Sequence, residues 1–104
     1  MDERLETGRT LDALRRKNLE GKKNFVEELR RQKTPQALSL LLEILCDESW
    51  YLRELAIGAL AEMGATAVPP LRRLLATGLW YTRAASARAL GRLGDGASGV
   101  VKSE

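Results

Sequence analysis

The sequence contains no histidine and one cysteine among its 104 residues. Without histidine the chain lacks the side chain that most often moves protons near neutral pH and most often binds metal. A single cysteine closes no internal disulfide. Cys46 follows the largely apolar run Leu40 to Leu45, where a thiol is expected to behave as a small buried hydrophobe in a reducing compartment. No apolar stretch approaches the roughly 18 residues that span a bilayer, and Met1 to Glu6 is too charged for a signal peptide. The expectation is a soluble, cytoplasmic protein. Gly-rich phosphate loops and metal-ligand spacings are also missing. The adjacent carboxylates Glu27-Glu28 and Asp47-Glu48 point different ways if helical. These gaps argue against an enzyme, and neither cofactor nor metal is expected.

What the sequence does contain is a repeat. Pro35 to Gly64 laid over Ala65 to Gly94 without a gap superposes nine identical residues, among them Leu41/Leu71, Trp50/Trp80, Tyr51/Tyr81, Arg53/Arg83, Leu60/Leu90 and Gly64/Gly94. A fixed period of this length indicates stacked helical units, each burying one face on its neighbour. The predicted units are 34–64 and 65–94. Residues 1–33 are read as a charged N-terminal cap, and 95–104 as an incomplete repeat or tail.

Capping chemistry places the helices. One helix starts near Thr10 and is interrupted at Gly21, with Leu11 and Leu14 on one face, and a second runs from Lys22 to Lys33 with Phe25, Val26 and Leu29 inward. Thr34-Pro35 opens a helix over 35–47, and Ser49 opens another whose stripe is Leu52, Ala56, Ala59, Leu60 and Met63. Gly64 and Gly94 are both expected as left-handed C-caps. Pro69 and Pro70 fall in the first turn of a helix over 66–77, and Gly78 separates it from the last helix, 79–93.

At these residues the chain resembles HEAT-repeat proteins, in the short form first named for phycobilisome lyases. The resemblance is carried by Leu52-Arg53, Ala56, Ala59-Leu60, Met63-Gly64, Ala67-Val68, Leu71 and Leu74-Leu75, and again by Thr82-Arg83, Ala89-Leu90-Gly91 and Leu93-Gly94-Asp95. It implies an all-α, right-handed α-solenoid of about three stacked antiparallel helix pairs, and most often a protein-binding role. The lyase activity is not implied, because the repeat carries no catalytic group. The family's Asp-Pro before the helix is replaced here by Ser49-Trp50 and Leu79-Trp80, so the usual partner of the repeat arginine is missing or weakened.

Two readings of the site follow. Trp50 lies about 160° from Leu52 on a helical wheel, so it points away from its own hairpin. Trp50, Tyr51, Trp80 and Tyr81, flanked by Arg53 and Arg83, form either an aromatic row for a protein partner or packing between repeats, with the arginines bracing turns. Charge divides by repeat: 34–64 holds five acids and one base, and 65–94 five bases and no acid. Stacking is expected to pair Glu43 with Arg73 and Glu62 with Arg92. The alternative function is nucleic-acid binding, in which the remaining arginines join Arg15, Arg16, Lys17, Lys22 and Lys23 in a basic strip. The apolar C-terminal face, with Ala84, Ala87 and Leu90, is expected to be covered by a second copy or by further repeats of a longer parent.

Overall fold

Side-chain caps decide where the helices start. The Thr34 hydroxyl accepts from the Ala37 amide at 3.0 Å, with Pro35 in the first helical position, and Ser49 accepts from the Leu52 amide at 3.2 Å. The computed structural model describes residues 10–96, with side chains through 94. It contains α1 (10–15), α2 (Leu19–Gln32), α3 (Pro35–Ile44), α4 (Trp50–Ala61), α5 (Val68–Thr77) and α6 (Trp80–Gly96), with a 3-10 turn at Gly64–Ala67. The described chain is all-α, and its six helices pack as consecutive pairs. Central to the stack is α4, with α2 and α6 on its flanks and α3 behind.

The core is built from small and aliphatic side chains at helical spacing. Val26 and Leu29 enter it from α2, Leu41 and Ile44 from α3, Leu71 from α5, and Ala85, Ala89 and Leu93 from α6. Leu11 and Leu14 are buried together, as their shared face predicts. On α4 the stripe Leu52, Ala56, Ala59 and Leu60 is fully buried, with Met63 partly so. Ile57 is buried as well, because α4 is enclosed on both flanks and not on one. A Leu60→Ala change would strip packing from this enclosed helix, a class of substitution that costs about 2 to 5 kcal/mol.

Several boundaries differ from the sequence reading. Thr10 is already helical. The break between α1 and α2 falls at Arg16–Asn18, because the Asn18 side chain caps α2 by accepting from the Gly21 amide at 2.8 Å. Gly21 therefore lies inside the helix. A Cβ there would sit 3.0 Å from Lys17 Cβ and 3.2 Å from the capping oxygen, so glycine lets the cap close. α3 ends at Ile44, three residues early. Its last turn tightens into short-range bonds, Cys46 N–H to Glu43 O at 2.9 Å and Asp47 N–H to Ile44 O at 3.0 Å. Gly64 adopts the predicted left-handed conformation at φ 78°. Gly94 does not: it is buried within α6, which continues to Gly96. The expected tail lies, over 97–104, outside the described residues.

The ion pairs also differ. Glu43–Arg73 and Glu62–Arg92 do not form. Glu54 instead takes Arg88, one helical turn beyond the thirty-residue period, because a long side chain leans back toward the start of its own helix. Glu62 is met from the opposite flank by Arg30 at 3.4 Å.

Candidate interaction site

Trp50 and Trp80 are each the first residue of a helix, at equivalent positions of adjacent repeats, so both indoles emerge at the same edge of the stack. They are 65% and 72% exposed, so the two indoles are not packed between the repeats, whereas Tyr81 is half-buried against Arg53. Between them runs a cleft of about 240 Å³ bounded by Trp50, Arg53, Trp80 and Tyr81, with Ile57, Ala84 and Ala85 along its floor. The small alanines of α6 leave this space open. Its far end is closed by Arg88, whose Nη2 donates to Glu54 Oε1 at 3.0 Å.

Arg53 organises the near end. Its Nη1 donates to the carbonyls of Asp47 and Glu48, both at 2.8 Å, which braces the α3–α4 turn. The guanidinium carbon also lies 4.6 Å from the Tyr81 ring centroid, so one side chain ties a turn to the aromatic ring of the next repeat. Trp80 meets Tyr81 edge to face, with centroids 5.4 Å apart and planes at 80°. Of the six residues singled out from sequence, Trp50, Arg53, Trp80 and Tyr81 come together. Tyr51 is half-buried outside the cleft, and Arg83 is exposed on the opposite flank of α6.

Sequence reasoning passed over Asp47, a carboxylate only 7% exposed that joins two repeats. It accepts from Arg15 Nε at 2.6 Å and from the Ser49 amide at 2.8 Å. Both the hydrogen bond and the charge raise the Arg15 pKa, holding it as a cation. The available signal was Asp47 two residues before the Ser49 cap, a spacing at which an aspartate folds onto its own turn. A second seam bond was equally hidden: the buried Thr82 hydroxyl donates to Leu45 O at 3.0 Å.

Cys46 was expected inside and is instead exposed, because the early end of α3 rotates it out of the core stripe. It lines a wider depression with Arg15, Lys22, Asp47 and Tyr81. Partial desolvation, then the nearby Glu43 carboxylate, push its pKa up, so the nucleophilic thiolate is disfavoured. Among the described residues no group of three or more Cys, Asp or Glu is placed to hold a metal ion.

Of the basic strip, Arg15 and Arg88 are the members held in ion pairs among the described residues. Arg15 is held by Asp47 and Asp12, Arg30 by Glu27 and Glu62, Arg31 by Glu28 and Arg88 by Glu54.

Consecutive helix pairs, a thirty-residue register and the Arg53 brace on the α3–α4 turn also have a counterpart among known proteins: a family profile for HEAT repeats matches residues 9–91. The chain belongs to the HEAT-repeat family. No curated protein and no solved structure matches it. HEAT repeats are usually non-catalytic and generally mediate protein–protein interactions. The match begins ahead of α1, so the HEAT assignment takes in the first helix pair as well as the two repeats visible by self-comparison. No helix among the described residues is long and apolar enough to cross a membrane.

Proposed function

We propose that the chain is a non-catalytic, cytoplasmic interaction module that takes a protein partner along the Trp50–Trp80 edge. Two large, exposed indoles flanking an apolar-floored cleft carry this reading. Surface tryptophans are uncommon, and tryptophan, tyrosine and arginine are the residues in which binding energy concentrates. Trp50, Trp80 and Tyr81 supply contact area, while Arg53 holds Tyr81 in place. Tyr51 and Arg83 lie outside the cleft and are not assigned to this contact. In this reading α1 and α2 cap the N-terminal side of the stack, and 34–64 and 65–94 are repeats of the short phycobilisome-lyase type without lyase activity.

The test is affinity capture from an extract of the source cells, comparing wild type with Trp50→Ala/Trp80→Ala, each shown by circular dichroism to be equally helical. Proteins retained by wild type and lost from the double variant support the edge. A random-sequence oligonucleotide run in parallel tests the alternative. Tight binding at about 50 mM salt that collapses by about 200 mM, with capture indifferent to the tryptophans, would replace protein binding by nucleic-acid binding.

A further inference from the structure

The two repeats supply an internal comparison. One flank of α4 is covered by α6, and the same flank of α6, thirty residues on, is covered by no other described helix. Leu45 is fully buried where its mate Leu75 is 39% exposed. Ile57 is buried where its mate Ala87 is exposed, and Leu60 is buried where Leu90 is only partly so. Arg53 stacks on Tyr81, whereas Arg83 is exposed and has no ion-pair partner among the described residues. Leu79, 61% exposed, extends the same apolar patch next to Leu75.

Charge selects what fits there. Every seam inside the molecule joins an arginine of an outer helix pair to a carboxylate of the middle pair: Arg15 to Asp47, Arg30 to Glu62, Arg88 to Glu54. At the mates of Glu43, Glu54 and Glu62 the last pair carries Arg73, Ala84 and Arg92, so those three positions offer no carboxylate in return. Arg72, three residues before Leu75, and Arg83, four before Ala87, lie on the helix faces that carry the patch, and neither has an ion-pair partner among the described residues.

We infer that this flank of α5 and α6 docks an acidic amphipathic helix of a partner protein. Its apolar side chains cover Leu75, Ala87 and Leu90, and its flanking carboxylates meet Arg72 and Arg83. A second copy fits poorly. A two-fold contact would set Arg72 and Arg83 against the same basic flank of the other copy. A head-to-tail contact would meet residues 10–33, which carry eight basic and four acidic side chains.

A display library of amphipathic helical peptides, with apolar positions fixed and flanking positions randomised, is selected against the full chain at low salt. Enriched peptides are expected to be net negative and to lose at least about tenfold in affinity with Arg83→Glu or with Ala87→Glu. Lysine-for-glutamate peptides should restore binding to Arg83→Glu. Trp50→Ala should leave binding unchanged, which separates this flank from the tryptophan cleft. Neutral or basic winners, no enrichment, or loss with Trp50→Ala in place of Ala87→Glu would overturn the assignment. So would a concentration-dependent dimer in sedimentation that Ala87→Glu abolishes, since the occupant would then be a second copy.

Discussion

Replacing Asp47 by alanine removes two interactions of different kinds, and their sizes can be separated. The bond to the Ser49 amide fixes the residue that caps α4, and its loss leaves a part-buried donor without an acceptor, at about 1 kcal/mol. The bond from Arg15 is charge-assisted, but the Arg15 side chain is 51% exposed, so solvent screening limits it to about 0–1 kcal/mol. Asp47→Ala is therefore expected to cost about 1–2 kcal/mol, which in a domain of this size lowers Tm by about 4–16 °C. Asp47→Asn keeps an oxygen for the Ser49 amide and gives up only the charge, so it should cost about 0.5–1 kcal/mol. Added salt should narrow the gap between wild type and Asp47→Asn while leaving that between Asp47→Asn and Asp47→Ala. Thermal and urea melts followed by circular dichroism read these differences. Asp47→Ala within about 0.5 kcal/mol of wild type would refute the reasoning. Arg15→Ala costing more than Asp47→Ala would do the same, since it would place the energy in the ion pair and not in the turn.

Ser86 is fully buried and its hydroxyl has no hydrogen-bond partner, while its repeat mate is Ala56. Ser86→Ala should stabilise by about 0.5–1 kcal/mol through helix propensity and removal of an unsatisfied group, and an unchanged or lower melting point would contradict this. A Cβ at Gly78 would stand 2.8 Å from Thr82 Cγ2 and 2.9 Å from Leu74 O, so Gly78→Ala should destabilise by about 1–3 kcal/mol and disturb the Thr82–Leu45 seam, read by denaturant midpoint. Gly64→Ala meets open space but must hold φ near 78°, so a smaller loss of about 1–2 kcal/mol is expected. Cys46 should alkylate in the folded protein, with a rate that rises only above the pH range of an ordinary thiol; a profile shifted to lower pH would contradict a desolvated thiol.

The helical architecture was legible because it rests on local chemistry. Thr34-Pro35 and Ser49 cap helices by themselves, and Leu52, Ala56, Ala59 and Leu60 share a face whatever surrounds them. The burial of Ile57 was not legible because it depends on α6, thirty residues away, closing the second flank of α4. Pairing by equal repeat position failed for Glu62 and Arg92 because equivalence in sequence ignores the backward lean of long side chains and the competing Arg30 on the other side. Cys46 shows how a boundary error propagates: three residues fewer in α3 turn a core position into a surface one. The tryptophans were found by repetition, but their exposure was not readable, since the wheel places Trp50 beside Ile57 and one is in water while the other is buried. What separates them is position along the helix axis, at the open rim for Trp50 and beneath α6 for Ile57.

Trp50 and Trp80 are the only tryptophans in the chain, so its tryptophan fluorescence, excited selectively over tyrosine, reports on the proposed surface. Acrylamide quenching should show both indoles open to solvent in the free protein, in keeping with their 65% and 72% exposure, and shielded at saturation with a protein partner captured through this edge. Indoles already shielded in the free monomer, or equally quenched at saturation, would contradict a partner-binding role for the Trp50–Trp80 edge.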